Sequence, residues 1–163
     1  MQIKSVIVFV VILVGLFVLM SWGKVNQRPS QLDAASSPLT VTEKLYDFGT
    51  IKMGDGKVNR IFRVTNPTKQ KVELKSITTS CMCTTAYLIG PEGEKGPFGM
   101  PGHGGSVRPA DELIKAGETR DIKVVYDPNA HGPAGVGPVD RFIYLTNADG
   151  GTLELEIKAL VTP

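Results

Sequence analysis

From residue 39 onward, apolar and polar positions alternate in short runs separated by turn residues. Residues 58–65 set Phe62 and Val64 against Arg63 and Thr65, and residues 70–77 set Val72 and Leu74 against Glu73 and Lys75. Residues 119–126 align Ile122, Val124 and Tyr126, and residues 139–146 carry Phe142 and Tyr144. The last run, 152–161, alternates most cleanly, with Leu153, Leu155, Ile157, Ala159 and Val161 opposite Glu154, Glu156 and Lys158. With 39–48 and 84–89 added, the pattern predicts about seven short strands, the period-two signature of an antiparallel β-sandwich. Residues 147–151 (Asn-Ala-Asp-Gly-Gly) suit a hairpin turn between the last two. Only residues 110–115 suggest a single helical turn, so helical crossovers for a parallel sheet are missing.

The N-terminal pattern is different in kind. Residues 5–22 form an uncharged apolar run ending in Trp22, with Lys24 just beyond. Eighteen such residues suffice to cross a bilayer as a helix, and Trp22 is of the type that sits at the interface. The expected organisation is a short tail over 1–4, a transmembrane signal anchor over 5–23, a polar linker over 24–38 and a domain over 39–163. No small-x-small cleavage site follows the run at once, which favours an uncleaved anchor over a removed signal peptide. The expected location is a bacterial inner membrane, single-pass, with the C-terminal domain outside the cytoplasm.

Of 18 Lys/Arg and 16 Asp/Glu, three and one lie before Leu39, which leaves 15 of each in the domain. A neutral domain removes the electrostatic argument for nucleic-acid binding, which needs a basic face.

Four motifs in order carry a resemblance: Tyr46-Asp47-Phe48-Gly49-Thr50-Ile51, Phe62-Arg63-Val64-Thr65-Asn66, Ser80-Cys81-Met82-Cys83-Thr84 and Ala116-Gly117-Glu118-Thr119. Together they resemble the DUF1573 family, bacterial Ig-like domains related to the hydin-like group, over roughly residues 40–161. The resemblance implies an Ig-like sandwich and an envelope location, and it implies no reaction. Two features depart from the family pattern. Met82 stands where the family usually has glycine, and a long insertion precedes Ala116, which replaces a proline. Asp47-Phe48-Gly49 is not a kinase metal motif, because the rest of the kinase set is missing.

Both cysteines of the chain fall in Cys81-Met82-Cys83. In an extended backbone their sulfurs share a face. Three states are open: two small half-buried thiols, a short labile disulfide, or a soft-metal site selecting copper(I). In the last, Met100 and His103 are candidate ligands beside Cys81 and Cys83, and His131 joins them if its loop folds over the pair. A thiol oxidoreductase needs an activating group that the sequence does not display, and no nucleophile–histidine–carboxylate set is visible, so the chain is read as non-enzymatic.

Residues 90–117 form a Gly/Pro-rich insertion in which glycine recurs at every third position from Gly90 to Gly102. That period predicts an extended, polyproline-like arm of up to about 45 Å. Pro97, Phe98, Met100, Pro101 and His103 are its candidate docking residues, with Trp22 as a further contact in the membrane. The function expected is a membrane-anchored accessory subunit that binds a larger integral membrane complex, held in the lipid bilayer by residues 5–23. A copper-handling module is the alternative. If the topology is right, protease added outside sealed cytoplasmic-side-in vesicles should digest the domain; digestion only after lysis would overturn it.

Overall fold

The computed structural model describes residues 36–102 and 108–163. The apolar run 5–23 with Trp22, most of the linker, and His103 lie outside the described residues. Among the described residues no helix is long and apolar enough to cross a membrane.

The domain is a β-sandwich of two five-stranded sheets. The strands are β1 (Thr40–Val41), β2 (Leu45–Lys52), β3 (Val58–Thr65), β4 (Val72–Thr79), β5 (Thr84–Gly90), β6 (Gly93–Phe98), β7 (Pro109–Ile114), β8 (Thr119–Tyr126), β9 (Gly137–Asn147) and β10 (Thr152–Thr162). One sheet has the order β1-β3-β8-β5-β6, the other β2-β10-β9-β4-β7. The seven expected strands are thus ten. One pairing, β2 on β10, is parallel rather than antiparallel.

The alternating residues face inward as their period requires. Phe62 and Val64 of β3, Ala86 and Leu88 of β5, and Ile122, Val124 and Tyr126 of β8 are buried on one side. They meet Leu74 and Ile77 of β4, Ile143 and Leu145 of β9, and Leu153, Leu155 and Ile157 of β10. Leu74 and Ile77 are three apart, yet both are buried, because a bulge after Leu74 shifts the register by one.

Three local expectations are corrected. Residues 39–48 are not one strand: β1 pairs with β3 and β2 with β10, so the chain changes sheet between them. Asp47-Phe48-Gly49 is a bulge inside β2, where two residues oppose the single Ala159. Gly49 adopts φ 67° and its amide donates to Asp47 Oδ1 at 2.8 Å. Residues 110–114 are strand, not helix, with Ala110, Glu112 and Ile114 buried and Asp111 and Leu113 exposed, and Lys115 follows outside any element. Pairing with β4 overrides the helix-favouring composition.

The fourth correction concerns the insertion. Most of the expected arm is a hairpin, β5–β6, and Phe98 is 2% exposed in the core. The glycine period has local causes. Gly93 closes the hairpin turn. Gly96, at φ 141°, lies so close to Tyr87 that a Cβ would stand 2.9 Å from the Tyr87 ring. Phe98 is therefore a packing residue and has no surface with which to anchor a partner.

At one edge a charged cluster joins the two sheets. Glu112 of β7 receives hydrogen bonds from Arg120 Nε of β8 and Lys95 Nζ of β6, each at 2.6 Å. Arg120 also donates to Glu118 Oε2 at 3.0 Å and to the Leu113 carbonyl at 3.1 Å. Burial pushes the Glu112 carboxyl up, but the hydrogen bonds from Lys95 and Arg120 outweigh it and hold the pKa below its ordinary value. A depressed carboxylate contributes stability that is present above the unfolded value of about 4.3 and is lost as pH falls through the folded value.

Two outcomes follow from this packing. Deleting residues 90–105 removes β6 and Phe98 and should unfold the domain, since truncating Phe98 alone to alanine costs roughly 3–5 kcal/mol; a cooperative, undiminished melt of the deletion would contradict the assignment. Glu112→Ala leaves the buried Arg120 with Glu118 as its one remaining carboxylate partner and should cost roughly 3–5 kcal/mol in urea unfolding at neutral pH. The gap to the parent chain should narrow as pH falls through the depressed folded value of Glu112, below which the carboxyl is protonated in both folded and unfolded chains.

Candidate functional site

Four connections meet at one end of the sandwich: residues 53–57, 80–83, the described part 99–102 of the segment after β6, and 127–136. The cysteine turn is the second of these. It is fixed from below by Thr79, whose hydroxyl lies 3.0 Å from the carbonyls of both Cys81 and Thr84 and donates to them. The Thr84 amide closes the turn on the Cys81 carbonyl at 3.2 Å. Ser80 docks it laterally on β9, its amide donating to the Phe142 carbonyl and its Oγ accepting from the Phe142 amide, both at 2.9 Å.

Within this turn Cys81 and Cys83 form a disulfide, with Cα atoms 5.3 Å apart. The environments of the two sulfurs differ. Cys83 is buried, 2% exposed, and its Sγ accepts a hydrogen bond from Arg141 Nε at 3.2 Å. Cys81 is half-buried, and its Sγ lies 3.2 Å from His131 Nε2 and accepts from the Cys83 amide at 3.2 Å. The Arg141 guanidinium is also felt by Tyr126: burial pushes that phenol up, and Arg141 opposes the shift.

His131 is brought to the pair by its own loop. The Asp127 amide donates to the Cys83 carbonyl at 2.9 Å, and Asp127 Oδ1 accepts from the Asn129 amide at 2.9 Å. The Gly132 amide then bonds the Asn129 carbonyl at 3.0 Å and leads into the 3-10 turn Gly132–Gly135. A Cβ on Gly135 would meet the Pro128 carbonyl at 3.2 Å, His131 Cβ at 3.5 Å and Met53 Cε at 3.8 Å, so this loop packs on Met53.

One ligand atom each from Cys81, Cys83 and His131 falls within 4.8 Å of the others. Met82, 54% exposed, stands between the cysteines. Met100 is half-buried just after β6, where the Gly99 carbonyl accepts from the Thr79 amide at 3.3 Å. Pro97 and Pro101 are exposed, whereas Phe98 is not. The structure therefore gathers Cys81, Cys83, His131 and the Met100 loop at one end; Trp22 and His103 are not described. Sequence reading missed Arg141, which is 58 residues from Cys83 and lies on a strand whose pattern gives no hint of its neighbour.

Residues 39–98 match the family model of DUF1573, described as a protein of unknown function. That stretch spans β1 to β6 and contains the cysteine turn, and the match supports the resemblance read from the four motifs. No curated protein matches the chain. Among solved structures, a protein of unknown function from Porphyromonas gingivalis W83 is similar at TM-score 0.53 and 18% identity, with 82% of this chain and 51% of that one covered. The chain thus spans about half the length of that protein, and the likeness is one of fold. The PapD-like domain 7 of human CEP192 aligns at TM-score 0.47 and 13% identity, covering 78% of this chain and 87% of that one. The Vibrio cholerae VesB protease aligns at TM-score 0.46 and 16% identity, covering 76% and 32%.

Proposed function

We propose that this chain is a non-enzymatic, Ig-like envelope domain that handles a soft metal ion, copper(I), at the end of the sandwich bearing Cys81, Cys83 and His131. One observation carries the reading. Every thiol, thioether and imidazole among the described residues belongs to the four connections at that end: Cys81, Cys83, His131, Met53, Met82 and Met100. Thiolate and thioether ligands select copper(I) over harder ions. A Cys2His set is also short of the four ligands of a structural zinc site. Among the described residues, the opposite end and both outer faces offer no such donors. In the disulfide form the sulfurs are not thiolates, so metal uptake belongs to the reduced pair.

The accessory-subunit reading keeps support from the exposed prolines Pro97 and Pro101 beside Met100, and from the apolar run 5–23. On that reading the partner is an integral membrane complex, and the exposed residues around Pro97, Met100 and Pro101, rather than the whole insertion, are its contact.

The copper(I) reading is tested on the full-length chain, reduced and kept anaerobic, against a chromophoric copper(I) chelator. About one equivalent should be taken up with thiolate ligation. Cys81→Ser and Cys83→Ser should each abolish it, His131→Ala should weaken it, and the disulfide form should take up none. A reduced chain that leaves all copper(I) with the chelator ends the reading.

A further inference from the structure

The disulfide is asymmetric, and its asymmetry has a chemical direction. We propose that the Cys81–Cys83 bond is opened by a dithiol reductant that attacks Cys81 Sγ and expels Cys83 Sγ toward Arg141. This inference stands on the oxidised pair alone and does not depend on metal binding.

Exchange rates depend on which sulfur is reached and on how well the departing thiolate is stabilised. Cys81 is the accessible sulfur, since Cys83 is 2% exposed and packs in the core. Arg141 Nε already donates to Cys83 Sγ at 3.2 Å, so negative charge arriving on that sulfur meets a guanidinium held in place. Arg141 is positioned in turn by Nη1, which donates to the Asp140 carbonyl at 2.8 Å. The Thr84 hydroxyl, 3.7 Å from Cys83 Sγ, is a second neighbour for the same charge. Among the described residues no comparable cation stands on Cys81, whose neighbour is the exposed His131.

One thiol of the donor loses its proton to water and its thiolate bonds Cys81 Sγ, while the Cys81–Cys83 bond breaks and Cys83 leaves as a thiolate. The donor's second thiol, deprotonated in turn, attacks the donor sulfur of this mixed disulfide and releases Cys81 as a thiolate beside His131. The donor ends as a disulfide and the pair has gained two electrons. Arg141 is a positioning residue here: it touches the leaving sulfur and exchanges no atoms.

The test uses the oxidised full-length chain in chelator-treated, metal-free buffer. A pulse of reduced glutathione is quenched with acid, free thiols are blocked with N-ethylmaleimide, and the peptide holding both cysteines is fragmented in a mass spectrometer. Glutathione should sit on Cys81 and the maleimide on Cys83; the reverse placement, or an equal mixture, overturns the proposal. Arg141→Gln should slow reduction by dithiothreitol by about tenfold, and Arg141→Lys should recover part of the rate, as expected when leaving-group stability limits exchange. Equal rates for the parent and Arg141→Gln would remove Arg141 from the step. A chain that exchanges at Cys81 yet takes up no copper(I) separates this inference from the metal reading.

Discussion

The buried carboxamide of Asn66 is the constraint on which one whole end of the sandwich depends. It is fully buried at the close of β3, and its Nδ2 donates to the carbonyls of Gln70 at 2.7 Å and Ile114 at 2.9 Å, with Lys115 at 3.2 Å. Its Oδ1 accepts from the Thr68 amide and hydroxyl, and its backbone pairs with Glu118 and Gly117. A buried amide with these partners is a fastening, whereas the same group with one partner missing is a liability of about 1–3 kcal/mol. One side chain therefore sets the 66–70 turn, the end of β7 and the 115–118 turn against one another. The Glu112–Arg120 cluster lies on the same side and ties the two sheets together there. That end has its polar groups spent on each other.

The other end is built differently. Its turns are closed by backbone hydrogen bonds and by the Thr79 and Ser80 hydroxyls, so sulfur and imidazole groups are left to chemistry. The cysteine turn is rigid where it rests on the sandwich and exposed where Met82 protrudes. Arg141 reaches it from within β9, while His131 reaches it from a loop. One sulfur thus belongs to the scaffold and the other to the surface. Stability and reactivity are divided between the two ends, so changes at the cysteine turn need not be felt at Asn66.

Much of this fold was legible because its inner residues keep strict alternation. The stretch 152–161 shows it best: five apolar residues at period two became five buried residues of β10. Alternation is silent about which sheet a strand joins, so nothing in Thr42-Glu43-Lys44 announced that β1 and β2 part company. The insertion misled for a different reason. Its regular glycines satisfy a hairpin turn, a close approach to Tyr87 and a loop, and these separate demands happen to fall three residues apart. In β7 the residues favour a helix, but a neighbouring strand with free hydrogen-bonding groups decided the matter. At the site, Cys81 and Cys83 announced themselves by rarity, and His131 by its loop. Arg141 did not, because an arginine on an alternating strand reads as an ordinary solvent-facing residue.

The parallel seating of β2 on β10 fixes where the chain enters the sandwich. Ser36 bridges to Thr152 at the start of β10, whereas β10 finishes at Thr162 beside Lys52, among the loops that carry the cysteines. Eleven residues of β10 separate those two levels, a distance on the order of 30 Å at strand rise. The described chain therefore enters the sandwich at the Asn66 end. The sulfur-bearing loops therefore stand the full length of a strand from the point where the chain enters the sandwich.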